Sequence, residues 1–239
     1  VGSDGPFTGA ATCMGYVLFF KENCLHKVYG SRPADYQLVS VQCRGVAKQA
    51  SKSMCVLAEV LYYLSPDGVM AWDGSLPVKI SGVLDNTWLM NVRGAVGGVL
   101  DTRYYLHLRV PGRSENRLLV YDTERQLWHE EDTAAEQGTS GWAMCSTGRQ
   151  LYQWDGVNLW ATEPERENDR DTDTAKANLE QKVEFEAVSG DIGLNTPADK
   201  YINRVFLRVD ALTYSVVELQ ASYDGGAWET LGQAAVLNR

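Results

Sequence analysis

The chain of 239 residues carries 22 basic and 31 acidic side chains, for a formal net charge of -9. At 44% hydrophobic and 22% charged it has the composition of a globular protein, and its length suits one large domain or two ordinary ones. The acidic balance excludes loose attachment to nucleic acid or an anionic membrane, and 7 Trp, 12 Tyr and 22 Gly against 7 Pro favour strands and turns over helices.

At the amino end no charged segment leads into an apolar run, so no signal peptide is read there. Val1 reads as a cut end of a longer chain, and Arg239, which closes no obvious element, is open to the same reading. Apolar runs such as Tyr16 to Phe20 are far too short to cross a bilayer.

From here the chain repeats itself weakly. Tyr16–Phe20, the polar Lys21–Asn23 and Cys24–Tyr29 form a strand, a turn and a second strand. Val60–Leu64, Ser65–Gly68 and Val69–Trp72 do the same, followed by Asp73 and Gly74. Arg103–Leu108 and Leu118–Asp122 follow around a loop with Pro111 and Gly112. Gln150–Trp154 and Asn158–Trp160 make the last pair. Aligning Phe19, Tyr63, Tyr105 and Tyr152 gives intervals of 44, 42 and 47 residues. A period of about 40–50 with room for four strands predicts β-propeller blades. The second unit uses Met54–Ala58, Val60–Ser65, Val69–Trp72 and Pro77–Ile80. The third uses Ala95–Leu100, Arg103–Leu108, Leu118–Asp122 and Leu127–Glu130. The rival architecture is a β-sandwich with regularly spaced strands.

Bulky aromatics recurring once per unit are read as filling between blades, in preference to lining a sugar site. The Trp-Asp-Gly triplets at Trp72–Gly74 and Trp154–Gly156 are read as turns. Cys13, Cys24, Cys43, Cys55 and Cys145 match no CxxC spacing and are read as buried free thiols, as in a reducing cytoplasm.

From Thr162 to Asp173 six acids and two bases give a local charge of -4 with no apolar residue. This is a solvated linker or long loop and marks the domain boundary. Thr172 to Gln181 has the makings of a short helix. Asp169, Asp171, Asp173 and Glu180 mimic the ligand spacing of a calcium loop, but Thr174 stands where its tight turn needs Gly, so a plain connector is preferred. Beyond it Val183, Phe185 and Ala187 alternate, as do Val205, Leu207 and Val209, then Val217, Leu219, Ala221 and Tyr223. Asp224–Gly226 turns into Trp228–Leu231. Period-two alternation predicts a small antiparallel β-sandwich.

Little in the chain converges on catalysis. His26, His107 and His129 lie far apart, with no paired-histidine motif, nucleophile elbow or phosphate loop. His107, within an apolar strand, is read as a satisfied structural side chain. Carboxylates are plentiful, but nothing singles out a pair. Ser222–Trp228 resembles the Asp-box turn of sialidase propellers, one residue short and without its Thr.

In order, Leu61–Ser65, Gly68–Val69 and Trp72–Pro77 precede Arg103–Tyr105, Leu119–Thr123 and Trp128–Asp132. Gly190–Gly193, Lys200–Val205, Ser222–Gly226 and Trp228 complete the series. These motifs resemble bacteriophage and prophage virion proteins with a β-propeller followed by a β-sandwich, above all those stabilising the head-to-tail junction of short-tailed phages. The resemblance covers residues 10–235. It implies no catalytic residue, no cofactor and no metal. It implies a ring-shaped homo-oligomer in the particle, meeting portal, connector or tail subunits, with the protein in the virion and, during assembly, the host cytoplasm. Direct nucleic-acid and membrane contacts are not expected. The few recognisable blades and the early end of the sandwich depart from the family and fit a fragment.

The expectation is therefore an all-β chain, with about four four-stranded propeller blades over 1–161, an acidic linker over 162–181 and a β-sandwich over 182–239. Exposed hairpin tips are the candidate contact loops. They are Ser65, Pro66, Asp67 and Gly68; Pro111, Gly112 and Arg113, continuing to Asn116; and Asp224, Gly225 and Gly226. The alternatives are a carbohydrate-binding or glycosidase-like propeller and a Kelch- or WD-like adaptor.

Overall fold

The computed structural model describes residues 5–84, 92, 94–109, 116–131, 143–154, 156, 159–162, 185–193, 201–209 and 216–235. The chain divides into two compact units, Val1–Glu180 and Gln181–Arg239.

The first unit is built from consecutive antiparallel meanders. The first sheet contains β1 (Gly9–Cys13), β2 (Tyr16–Lys21), β3 (Cys24–Tyr29) and β4 (Gln37–Gln42). The second contains β5 (Cys55–Leu57), β6 (Val60–Ser65), β7 (Gly68–Trp72) and β8 (Val78–Lys79). The third contains β9 (Gly94–Leu100), β10 (Arg103–Arg109), β11 (Arg117–Asp122) and β12 (Leu127–Glu131). The fourth has three strands among the described residues, β13 (Ala143–Ser146), β14 (Leu151–Trp154) and β15 (Leu159–Thr162). Within each sheet, neighbours in sequence are neighbours in space.

Tight turns enforce this order. Met14 and Gly15 (φ 51° and 76°) join β1 to β2, and Ala58 and Glu59 (φ 49° and 65°) join β5 to β6. Two residues with positive φ match the right-handed twist of the strands they connect. Asp101 (φ 50°) opens the corresponding β9–β10 turn. The predicted central strands of the second and third sheets agree with those observed to within a residue or two. β1, β4 and β13 were not anticipated; β4, written QLVSVQ, is almost wholly exposed and lacks a clear apolar face.

Because side chains alternate across a strand, each inner sheet offers one face to the sheet before it and one to the sheet after. Tyr63 of β6 packs on Phe20 of β2, with ring centroids 5.1 Å apart. Its neighbour Tyr62 points the other way and stacks on Tyr104 of β10 at 5.3 Å. Tyr104, Leu106 and Leu108 share the core with the second sheet. Tyr105 instead joins Leu100, Leu118, Val120 and Leu151 of β14 in a second cluster. Phe20, Tyr63, Trp72, Tyr104 and Tyr105 are all fully buried, as filling between sheets requires.

β9 carries the device that lets sheets close on both of its faces. A Cβ on Gly97 would stand 2.5 Å from the Ser53 carbonyl oxygen, and one on Gly98 would stand 2.7 Å from Leu151 Cδ1. Two tyrosines also reach out of their own sheets to the connector between β4 and β5. Tyr63 Oη donates to the Arg44 carbonyl (2.7 Å) and Tyr104 Oη to the Ser53 carbonyl (2.7 Å). Ser53 Oγ accepts from the Leu64 amide (2.9 Å) and donates to the Ala50 carbonyl (2.6 Å). Between the first two sheets the Lys27 ammonium sits 3.7 Å from the Tyr16 ring centroid, 5.0 Å from that of Tyr29 and 5.4 Å from that of Trp72.

In the second unit β16 (Val216–Ser222) and β17 (Trp228–Ala235) form an antiparallel hairpin with a bulge at Leu219/Gln220. These two expected strands form. Residues 185–187 and 205–209 do not form strands, and Phe185, Tyr201 and Phe206 are 84–92% exposed. Alternation there supplies an apolar face, but no paired strand takes it up among the described residues. The acidic stretch beyond Thr162, the expected helix over 172–181 and the calcium-like spacing all lie outside the described residues.

Candidate functional site

The histidines occupy three unrelated places. His107 on β10 is fully buried and hydrogen-bonded through Nδ1 to Gln153 Nε2 of β14 at 2.8 Å. Burial pushes its pKa down to about 3. It is therefore neutral at ordinary pH and ties the third sheet to the fourth, the structural role expected of it. His26 on β3 is buried with Nδ1 2.7 Å from Ser40 Oγ of β4. His129 is an exposed partner of Glu131 at 2.8 Å. Among the described residues no three His, Cys, Asp or Glu side chains converge as a metal site. All five cysteines are free. Burial raises the Cys43 thiol to about 11 and Cys55 to about 12, so neither is a thiolate nucleophile near neutrality. Cys43 and Cys55 are only partly buried, and Cys145 departs furthest from the expectation of burial: it is exposed, because β13 turns it to the outer side of the fourth sheet.

The candidate loops fall into different settings. The Ser65–Gly68 tip joins β6 to β7 and is not an exposed tip: Ser65 and Gly68 are buried, Pro66 and Asp67 half-buried. Ser65 Oγ donates to the Gly68 carbonyl (2.8 Å) and accepts from the Asp67 amide (3.1 Å). Asp67 is held by Arg44 Nε at 2.5 Å, and the same guanidinium reaches Asn23 Oδ1 in the β2–β3 turn at 2.5 Å. The loop is thus clamped to the neighbouring sheet. Pro111, Gly112 and Arg113 lie outside the described residues. Asp224, Gly225 and Gly226 are exposed at the β16–β17 tip, closed by Gly226 N–H to Tyr223 O (2.8 Å) and Ser222 Oγ–H to Gly226 O (2.8 Å). The Trp72–Gly74 triplet is a turn: Asp73 Oδ1 accepts from Ser75 Oγ (2.6 Å), and Trp72 Nε1 donates to the Ser75 carbonyl (2.7 Å). The Ser75 hydroxyl and amide hold the Asp73 carboxyl below its ordinary pKa.

The feature that sequence reading missed is a pair of open sheet faces. Phe20 and Leu18 of β2 turn toward the second sheet, which leaves Val17 and Phe19 on the other side. Register places Ala10, His26 and Ser40 beside Phe19, and Thr12, Val28 and Leu38 beside Val17. Phe7 lies over this face, 5.9 Å from the Phe19 ring and 5.9 Å from that of His26. Phe7, Phe19, His26, Val28 and Leu38 line an open groove of about 680 Å³. Phe7 is 53% exposed, Leu38 47% and Phe19 37%. On the fourth sheet Leu151 and Gln153 turn toward the third sheet, leaving Trp154, Leu159 and Cys145 outside. Trp154 is 44% exposed and Leu159 65%. A solvated antiparallel sheet normally alternates to polar residues on its wet side, whereas these faces are largely apolar, with Thr12, His26 and Ser40 as the polar exceptions on the first. The signal lay in the unbroken run from Tyr16 to Phe20, where both faces are apolar.

No helix among the described residues is long and apolar enough to cross a membrane. No protein-family model matches the chain, and no curated protein matches it either.

Proposed function

We propose that the chain is a non-catalytic structural protein of a bacteriophage virion, at the tail or head-to-tail connector, whose meander sheets are blades of a β-propeller followed by a β-sandwich domain. The observation that carries the assembly reading is the pair of apolar faces left open on the first and fourth sheets, which suit protein contacts rather than a reaction. The neutral, hydrogen-bonded His107 and the protonated thiols of Cys43 and Cys55 support a structural role for the interior. The likeness to virion proteins in the ordered motifs from Leu61 to Trp228 supplies the phage context. Portal, connector or tail subunits are the partners in this reading, and the virion is the place of action.

Gold-labelled antibody against the chain, applied to particles from a producing lysate, tests it. Label at one vertex or on the tail of each particle is the expected result. Particles that carry no label would end the virion reading.

A further inference from the structure

Aspartate isomerises where its carboxyl can meet the next backbone nitrogen, and a following glycine, with no Cβ in the way, favours the encounter. The sequence holds such Asp-Gly pairs at Asp4, Asp67, Asp73, Asp155 and Asp224. Asp4 and Asp155 lie outside the described residues. The other three differ in how firmly they are held. Asp67 is clamped by Arg44 Nε at 2.5 Å, and the Gly68 that follows it is buried. Asp73 Oδ1 accepts from Ser75 Oγ at 2.6 Å and from the Ser75 amide at 3.2 Å. Those bonds lower its pKa, which leaves less of the neutral acid that the reaction uses. A Cβ on Gly74 would stand 3.2 Å from Met14 Sδ, so the space beside that residue is taken. Asp224 has none of these restraints. It is exposed, and among the described residues no hydrogen bond or ion pair holds its carboxylate. A Cβ on Gly225 would meet nothing within 4 Å. The backbone bond of the turn is donated by Gly226 to the Tyr223 carbonyl (2.8 Å), not by Gly225. Asp224 itself has a φ of 51°, in the left-handed region that an L-residue leaves with relief of strain.

We propose that Asp224–Gly225, at the tip of the β16–β17 hairpin, is a site of spontaneous aspartate isomerisation in the folded protein, from which Asp67 and Asp73 are protected. The Gly225 nitrogen attacks Cγ of the neutral Asp224 carboxyl. A C–N bond forms, the carboxyl hydroxyl leaves with the nitrogen's proton as water, and a cyclic imide closes. Water then adds to either imide carbonyl. Breaking the Cγ–N bond restores aspartate. Breaking the bond between the backbone carbonyl carbon and the nitrogen leaves the chain running through Cγ, with a carboxylate on Cα. The water lost is regained, so the mass is unchanged and no oxidant is needed. The backbone of the turn gains one methylene, which displaces the Gly226 N–H from the Tyr223 carbonyl and the Ser222 hydroxyl from the Gly226 carbonyl, now at 2.8 Å each. Any contact made by this loop would therefore change with the age of the molecule.

The whole chain, incubated folded at neutral pH and body temperature and in parallel in concentrated urea, provides the test. Electron-transfer fragmentation of its peptides in the mass spectrometer distinguishes isoaspartate from aspartate. In the folded chain isoaspartate is expected at Asp224 about tenfold faster than at Asp67 or Asp73, because those two must first open locally. In urea the three rates are expected to converge. Asp224→Glu, which would need a larger and slower-closing ring, is expected to remove the signal at that position while circular dichroism shows the chain still folded. A folded chain that forms no isoaspartate at Asp224, or forms it as fast at Asp67 or Asp73, would overturn the proposal.

Discussion

Two buried polar side chains set the sharpest demands at the residue scale. The Tyr104 hydroxyl and the Ser53 carbonyl are both fully enclosed and satisfy each other at 2.7 Å. Tyr104→Phe keeps the ring on Tyr62 and orphans the carbonyl, so it is expected to cost about 1–3 kcal/mol, read as a lower urea midpoint at unchanged slope. His107 makes a pH statement. Its folded pKa near 3 lies below the ordinary 6.5, so between those values the unfolded chain binds the extra proton. The contribution is complete above pH 6.5, is lost as pH falls, and is exhausted near pH 3. Each pH unit inside that window removes about 1.4 kcal/mol from this group. His107→Gln, which cannot take up that proton, is expected to flatten the fall in stability between pH 6.5 and pH 5. An acid limb as steep as that of the parent would contradict the assignment. Neither partner was legible from the sequence: Ser53 stands fifty-one positions from Tyr104, and Gln153 forty-six from His107.

At the scale of the element, β9 decides how closely three sheets approach. Its Gly97 faces Ser53 and Cys55, while Gly98 faces Leu151 and Met144. Gly97→Ala drives a methyl against a backbone oxygen that cannot swing away, whereas Gly98→Ala meets side chains that can shift. Overpacking costs typically about 1–3 kcal/mol, with Gly97→Ala expected at or above the upper end and Gly98→Ala below it. Thermal melts of the two variants, compared at equal concentration, check the ranking. The strand runs of β6 and β10 and the Trp72–Gly74 turn follow local rules, and they were readable for that reason. Which of Tyr62 and Tyr63 meets which neighbour depends on sheet packing, and a period of two is silent on that. β4 and β13 are edge strands whose identity comes from their partners, so their own residues announce little. The segments at Phe185 and Phe206 show the converse: alternation without a hydrogen-bonded partner is not a strand.

At the scale of the whole molecule, the net charge of -9 and the open apolar faces act against each other. Like charge keeps copies apart at long range, while the open faces of the first and fourth sheets attract at contact. Raising ionic strength screens the first, so protein contacts made through these faces are favoured by salt. The meander order has a consequence of another kind, in time. Every described strand of the first unit pairs only with its sequence neighbours. Each sheet needs only short loop closures, and such local topologies fold quickly. On a ribosome the first sheet can close once β4 has emerged, before β5 exists, and each later sheet then condenses on a finished template. During synthesis the growing surface is always the successor face of the newest sheet, so that face is the one most in need of shielding until the next meander arrives.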